Sequence, residues 1–385
     1  MKKIAIVFTN MVVGGAEKAL TELLKRIDFS KYEVTVYTLK ETEITHQYLD
    51  QFNGKIKIKY IANDPKQVFK NHIKKFKLIS VFKDIYYRIM IRLSKKYYKR
   101  YKYTLKCTAE NKETYDCVIA YKIMLEDIVY ACYGIKAKKK VAWMHLGIDI
   151  EFKQDISFYK LLFKFDKIFC VSKDMKNLLH NYDADLDDKL DLFYNFYDVD
   201  NINKLANEKV ELPFKKISLL TVARLAKEKG LMRIPETISL LLNDGYDVEW
   251  FIMGDGPQKG ELQEEINRLS LNERVFLMGT RPNPYPYMKG CSIYVQTSVL
   301  EGYCTTTMEA KILHKPVVTT NAPGMSEQFE NGKNGIITDG FDAHSLYLGI
   351  KKILDNPDLV MRIENNLKNE DCGNDREINK LYEIV

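Results

Sequence analysis

Glu301-Gly302-Tyr303-Cys304-Thr305-Thr306-Thr307-Met308-Glu309-Ala310 lies between two apolar runs, Ser292-Ile293-Tyr294-Val295 upstream and Lys315-Pro316-Val317-Val318 downstream. The runs read as buried strands and residues 303–313 as a helix between them. Glu301 then falls in the turn after a strand, at the edge where a parallel sheet presents its ligand-binding crevice. The amides that open the helix point into that crevice and suit an anion. Carboxylates at 301 and 309 can accept hydrogen bonds from hydroxyls on either side of it. A diphosphate flanked by a sugar and a ribose answers this description.

The same alternation of strand and helix runs along the whole chain. Apolar β-type runs occur at 3–8, 33–39, 55–61, 116–120, 140–144, 167–171 and 190–194, and again at 216–222, 248–253, 274–278, 292–296, 315–319 and 335–338. Among the helical patterns, Ala16, Ala19, Leu20, Leu23, Leu24 and Ile27 give the clearest spacing. Near-continuous apolar strands joined by helices imply parallel sheets covered on both faces, hence an α/β fold. At 385 residues the chain suits two domains rather than one core. The polar, poorly periodic stretch from Asp198 to Pro213 joins them. The expected organisation is a first domain over 1–198, a second over 199–368, and a C-terminal stretch, 369–385, whose helix crosses back to the first.

Composition narrows the class. A hydrophobic share of 46% and a charged share of 29% are those of a soluble globular protein. Met1-Lys2-Lys3-Ile4-Ala5-Ile6-Val7-Phe8 reads as a first buried strand, too short in its apolar part for a secretory signal. No apolar run is long enough to span a bilayer. The cysteines at 107, 117, 132, 170, 291, 304 and 372 include no Cys-x-x-Cys pair. They read as reduced, mostly buried thiols of a cytoplasmic protein, not as a zinc site.

Charge is unevenly spread. Between Lys66 and Lys106 there are 14 Lys or Arg against the single acid Asp84, so the remainder of this +7 chain is net acidic. Phe69, Phe76, Phe82, Tyr86, Tyr87, Ile89, Leu93 and Tyr97 are interleaved with the basic residues. That pattern fits a basic amphipathic helix lying on anionic lipid headgroups, with the protein on the inner face of the cell membrane. A solvated helix pair that packs its aromatics inward is the alternative. No nucleic-acid-binding motif accompanies the patch.

Four further elements bear on chemistry. Thr9-Asn10-Met11-Val12-Val13-Gly14-Gly15-Ala16-Glu17 ends the first strand, and Gly14 and Gly15 let a ligand approach the backbone and expose amides to a phosphate. A tight turn without a ligand is the plainer reading. The spacing is not the dinucleotide fingerprint, which disfavours an oxidoreductase. Val222-Ala223-Arg224-Leu225-Ala226-Lys227-Glu228-Lys229-Gly230 ends another strand. There Arg224 can grip phosphate oxygens bidentately and Lys229 adds a point charge, unless the run is only a charged surface. Met253-Gly254-Asp255-Gly256-Pro257 reads as a turn with Pro257 at the first helical position, structural or in contact with a nucleotide. His145, in Val141-Ala142-Trp143-Met144-His145, closes a strand and either faces the crevice or belongs to the rim of the core.

Taken in order, Gly-Gly-Ala-Glu at 14–17, Ala-Arg-Leu-Ala-Lys-Glu-Lys-Gly at 223–230, Gly-Asp-Gly-Pro at 254–257 and the Glu-x7-Glu element at 301–309 resemble the retaining family-4 glycosyltransferases. Val171-Ser172-Lys173 and Asn195-Phe196-Tyr197-Asp198 match further landmarks. The resemblance covers nearly the whole chain, most tightly from about 216 to 338. It implies the GT-B architecture, two Rossmann-like domains facing each other across a cleft, with the donor bound mainly by the second and the acceptor by the first. It also implies residue roles. Arg224 and Lys229 would neutralise the donor diphosphate, Glu309 would hold the ribose, and Glu301 the transferred sugar. Amides near Tyr303, Thr305 and Thr306, with Gly254, would line the donor site. Gly14 and Gly15 would close over the diphosphate, and His145 would contact the sugar. Catalysis would fall to Glu301, Arg224, Lys229 and His145.

The function so implied is transfer, with retained anomeric configuration, from a nucleotide-diphosphate sugar (a UDP-sugar first) to a lipid-linked saccharide in surface polysaccharide assembly of bacterial type. No metal or other cofactor is expected, because cationic side chains serve the diphosphate. The Asp-x-Asp strings at 183–187 and 198–200 are read as polar linker. Tyr303-Cys304-Thr305-Thr306-Thr307 departs from the small or aliphatic residues common in the family at this place. Cys304 reads as packing at the helix start rather than as a nucleophile. Two other readings use the same residues: a nucleotide-sugar epimerase or hydrolase, and a non-catalytic nucleotide-sugar-binding protein.

Overall fold

All thirteen apolar runs form strands. In the computed structural model, which describes residues 1–12, 14–61, 78–93, 113–145 and 160–385, they assemble into two separate, wholly parallel sheets. The first contains β1 (Lys2–Val7), β2 (Tyr32–Thr38), β3 (Ile56–Tyr60), β4 (Thr114–Ala120), β5 (Lys136–Met144), β6 (Lys167–Cys170) and β7 (Leu190–Leu192). Its spatial order is β3-β2-β1-β4-β5-β6-β7. The second contains β8 (Ile217–Val222), β9 (Val248–Met253), β10 (Val275–Gly279), β11 (Ile293–Gln296), β12 (Val317–Thr319) and β13 (Ile336–Ile337), in the order β10-β9-β8-β11-β12-β13. Both are doubly wound. Strand order reverses between β1 and β4 in one sheet and between β8 and β11 in the other, and such a reversal opens a crevice at the carboxyl ends of the strands.

Burial explains why the strands were legible. Ile4 to Val7, Val118 to Ala120 and Val141 to Met144 are all almost fully buried, as is every residue of β9. Strands covered on both faces need apolar residues at consecutive positions rather than at alternate ones. Each large side chain so buried contributes about 1.5–3 kcal/mol relative to exposure. Trp250, the largest in the second sheet, also satisfies its indole N–H on Thr221 Oγ1 at 3.0 Å. β5 starts earlier than the apolar run indicates, because its first half, Lys136-Ala137-Lys138-Lys139-Lys140, is charged and carries mostly exposed positions.

The chain divides into two units, Met1–Phe196 with Asp375–Val385, and Tyr197–Asn374. The junctions fall at these points because Tyr197, Ile202, Ala206 and Cys372 are packed in the core around Leu220, Phe251 and Tyr294. The returning segment is tied into the first unit by specific bonds. Arg26 Nε meets Asp375 Oδ1 at 2.5 Å, Tyr382 Oη donates to Arg26 O at 3.1 Å, and its ring stacks on Tyr32 with centroids 4.8 Å apart. Lys380 donates to Leu192 O at 2.7 Å, and Leu381 is fully buried.

Of the basic segment 66–106, residues 66–77 and 94–106 lie outside the described residues. A helix, Leu78–Leu93, falls within them. Phe82, Ile85, Tyr86, Ile89 and Leu93 are exposed on it, Phe82 and Leu93 to about 70%. Among the described residues no helix is long and apolar enough to cross a membrane.

Candidate functional site

In the second unit, the loops that leave β8 and β11 are joined across the point of strand reversal. Gly230 makes this possible. It has φ of 65°, and a Cβ there would lie 2.2 Å from Thr297 O. Thr297 Oγ1 donates to Lys229 O at 2.7 Å, and Val299 N to Glu228 O at 2.9 Å. The joined loops bring Lys229 Nζ to 2.7 and 2.9 Å from the two carboxylate oxygens of Glu301. Glu301 is 4% exposed. Its Oε1 also accepts from Ser298 Oγ at 2.6 Å and from Gln296 Nε2 at 3.4 Å. Burial pulls the Lys229 ammonium down, but the adjoining carboxylate outweighs it and holds the pKa above the ordinary lysine value. The result is a compensated ion pair with all of its charge at the sheet edge.

The helix Thr305–Ile312 begins beside this pair. Cys304, at its N-cap, makes no capping bond with its side chain. The start is instead fixed from behind: Gln328 Nε2 donates to Cys304 O at 3.2 Å, and the Thr307 hydroxyl lies 2.6 Å from Gln328 Oε1. Thr306 Oγ1 reaches Gln296 Oε1 at 3.4 Å. Thr305 and Tyr303 are half-buried. Burial first, and then the Glu301 charge, push the Cys304 thiol up to about 11. It is therefore protonated near neutrality and is no nucleophile. Glu309 is buried one turn from the helix end, where Tyr285 Oη donates to its Oε1 at 3.0 Å.

Gly254 has φ of 138°, and a Cβ there would meet Ala223 O at 1.9 Å. Only glycine lets the loop after β9 lie against the residues just before Arg224. Arg224 itself is not part of the Lys229–Glu301 cluster. Its side chain is exposed and bonds to Glu228, four residues on. Pro257 precedes the next helix, Lys259–Arg268, rather than opening it.

In the first unit, Gly14 is the extended N-cap of the helix Gly15–Arg26. The Glu17 carboxylate folds back over it: Oε1 accepts from Val12 N at 3.0 Å, and a Cβ at Gly14 would lie 2.9 Å from Oε2. The Val12 amide is thus taken by an internal carboxylate, while the helix start has no side-chain cap. Lys122, just past β4, neutralises that carboxylate at 2.9 Å and lies over the Phe8 ring. Asp127 is fully buried and accepts from Thr9 N at 2.6 Å. His145 directly follows β5, beside Tyr121 and Trp143, with ring centroids 4.5 and 5.7 Å away. Burial and the Lys122 charge bring its pKa down to about 3, so the imidazole is neutral.

Sequence reasoning gathered Lys229, Glu301, Glu309 and the helix start but missed Gln296, Ser298, Tyr285 and Gln328 around them. It also missed Lys122 and Asp127 altogether. Their partners lie 105 and 118 residues away, so no local pattern announces them.

Residues 203–370, most of the second unit, match the sequence profile described as glycosyl transferases group 1. An uncharacterized glycosyltransferase of Methanocaldococcus jannaschii is 27% identical over 209 residues, 49% of this chain and 52% of that one. The N-acetylgalactosamine-N,N'-diacetylbacillosaminyl-diphospho-undecaprenol 4-alpha-N-acetylgalactosaminyltransferase of Campylobacter jejuni is 31% identical over 207 residues, 53% of this chain and 55% of that one. The chain thus spans about half the length of these two relatives. The O-antigen biosynthesis glycosyltransferase WclY of Escherichia coli is 25% identical over 85% of this chain and 82% of its own. Among solved structures, Anabaena HepE in complex with UDP-glucose has a TM-score of 0.73 at 18% identity, covering 100% of both chains. The chain is therefore similar to glycosyltransferases in sequence, chiefly over its second unit, and in fold over its whole length.

Proposed function

We propose that the protein is a retaining glycosyltransferase that moves a sugar from a nucleotide-diphosphate sugar, a UDP-sugar first, to a lipid-linked saccharide in bacterial-type surface polysaccharide assembly. The observation that carries this reading is the Lys229–Glu301 pair, its carboxylate buried, beside a helix start without a side-chain cap, inside the stretch that matches group 1 glycosyl transferases. Lys229 and Arg224 meet the departing diphosphate together with the amides near Thr305 and Thr306. Tyr303 and Gly254 line the donor site. Glu301 shares its oxygens between Lys229 and hydroxyls of the transferred sugar, and Glu309 takes the ribose. Gly14, Gly15 and His145 serve the same reaction from the first unit. The leaving phosphate takes the acceptor's proton, so no carboxylate nucleophile is needed and positioned charge lowers the barrier. No metal takes part, and turnover persists in excess chelator.

The lipid-linked acceptor is supported by the C. jejuni and E. coli relatives, whose names specify a diphospho-undecaprenol substrate and O-antigen biosynthesis. The exposed stripe Phe82, Ile85, Tyr86, Ile89, Leu93 supports docking at the inner face of the membrane. Binding to anionic vesicles that survives neutralisation of Lys95, Lys96, Lys99 and Arg100 would remove that part. The central test is a thermal-shift screen with UDP-, GDP- and ADP-sugars, followed by transfer to lipid-linked saccharides. Selective stabilisation by one donor with product formation is expected. Donor turnover without acceptor would point to a hydrolase or epimerase, and binding without turnover to a non-catalytic protein.

A further inference from the structure

The stretch Thr9–Val12, which leaves β1 at the strand reversal of the first sheet, is fastened at both ends by acidic side chains from other elements. Asp127, in the first turn of the helix Leu125–Tyr133, accepts from Thr9 N at 2.6 Å. Glu17 accepts from Val12 N at 3.0 Å and is itself held by Lys122 at 2.9 Å. Asp127 is fully buried, and among the described residues its Oδ2 has no hydrogen-bond partner. A buried acid with one free oxygen is costly as an anion and far less so with a proton on it.

We propose that Asp127 is a positioning residue: with the Glu17–Lys122 pair, it sets the shape of Thr9–Val12 and so the presentation of the glycine turn that follows. This deepens the function proposed above, which assigns that turn to the donor diphosphate. The Asp127 carboxyl acts in its protonated form. Burial raises its pKa to about 7, against bonds from Thr9 and the charge of Lys122, with Glu126 adding to the rise. Those are the charged groups facing it: Lys122 from the end of β4, itself paired to Glu17, and Glu126 from its own helix. Between about pH 4 and 7 the opened form, in which the carboxyl is hydrated, ionises, and the fastening at Thr9 opens progressively more often.

Residue-resolved hydrogen exchange tests this without reference to activity. Losing the Thr9 bond in Asp127→Ala should speed exchange at the Thr9 amide by about tenfold, as expected for one net hydrogen bond. Asp127→Asn, which keeps an acceptor of the same shape, should restore it to within about threefold. Lys122→Met should speed exchange at Val12 more than at Thr9. In the wild type, protection at Thr9 should fall from about pH 4 to pH 7 relative to Asp127→Asn and level off above. The wild type should also lose thermal stability relative to that variant between about pH 4 and 7, with no further loss above. The sign follows from a folded-state pKa raised above 3.8. Unchanged exchange in Asp127→Ala, or the same pH course in wild type and Asp127→Asn, overturns the proposal. If the wild type bound no nucleotide sugar, the transferase reading would fail while these exchange results still decided the role of Asp127.

Discussion

Among the described residues each unit has a lysine–glutamate pair across the strand reversal of its own sheet, and the two pairs run in opposite senses. In the first unit the acid follows β1 and the base follows β4. In the second the base follows β8 and the acid follows β11. Glu301 is surrounded by side-chain donors (Lys229, Ser298, Gln296). The helix start beside it has no side-chain cap, and neither has the helix that begins at Gly15. Among the described residues Glu17 meets one side-chain donor, Lys122, and also accepts from the Val12 amide of the loop. The acid of the first pair thus holds a loop amide, whereas the acid of the second is held by side chains.

The sharpest way to break this contrast is to remove the bases. Lys229→Met should lower turnover by at least ~100-fold, as for loss of a preorganised charge at a leaving group. It should also cost about 3–5 kcal/mol in stability by stranding Glu301. Lys122→Met should cost comparable stability, read by chemical denaturation, but only about tenfold in turnover, as for one displaced positioning contact. Equal losses of turnover would mean that the two edges contribute alike. Glu309→Ala should raise the donor Michaelis constant about tenfold with kcat nearly unchanged, since ribose contacts are alike in ground and transition states. Arg224→Ala should have a smaller effect than Lys229→Met, because its side chain is exposed and already bonded to Glu228. His145→Gln should leave the shape of the pH–rate profile between pH 5 and 9 intact, because burial keeps the wild-type imidazole neutral throughout that range.

How far the sequence foretold these structures depended on distance along the chain. Strands were legible because burial on both faces forces consecutive apolar residues, and β5 was underestimated where its lysines break that rule. The Glu301–Glu309 segment was legible because the turn and helix that place it are local. Lys229 was foreseen as a cation but not as the partner of Glu301, 72 residues away. The contact of Arg224 with Glu228, four residues on, lies within one turn and needs no long-range pairing. Asp127 and Lys122 sit in Tyr121-Lys122-Ile123-Met124-Leu125-Glu126-Asp127, which has no motif. Only the neighbouring of β1 and β4 gives those residues a role.

The returning helix, Ile378–Ile384, fixes an order of events during synthesis. Tyr382 and Leu381 complete the surface of the first unit against Tyr32 and Arg26, yet they leave the ribosome after the whole second unit. At 5–20 residues per second, the first unit waits roughly ten to forty seconds for its last element. During that interval the nascent chain holds an unfinished face that a chaperone can recognise.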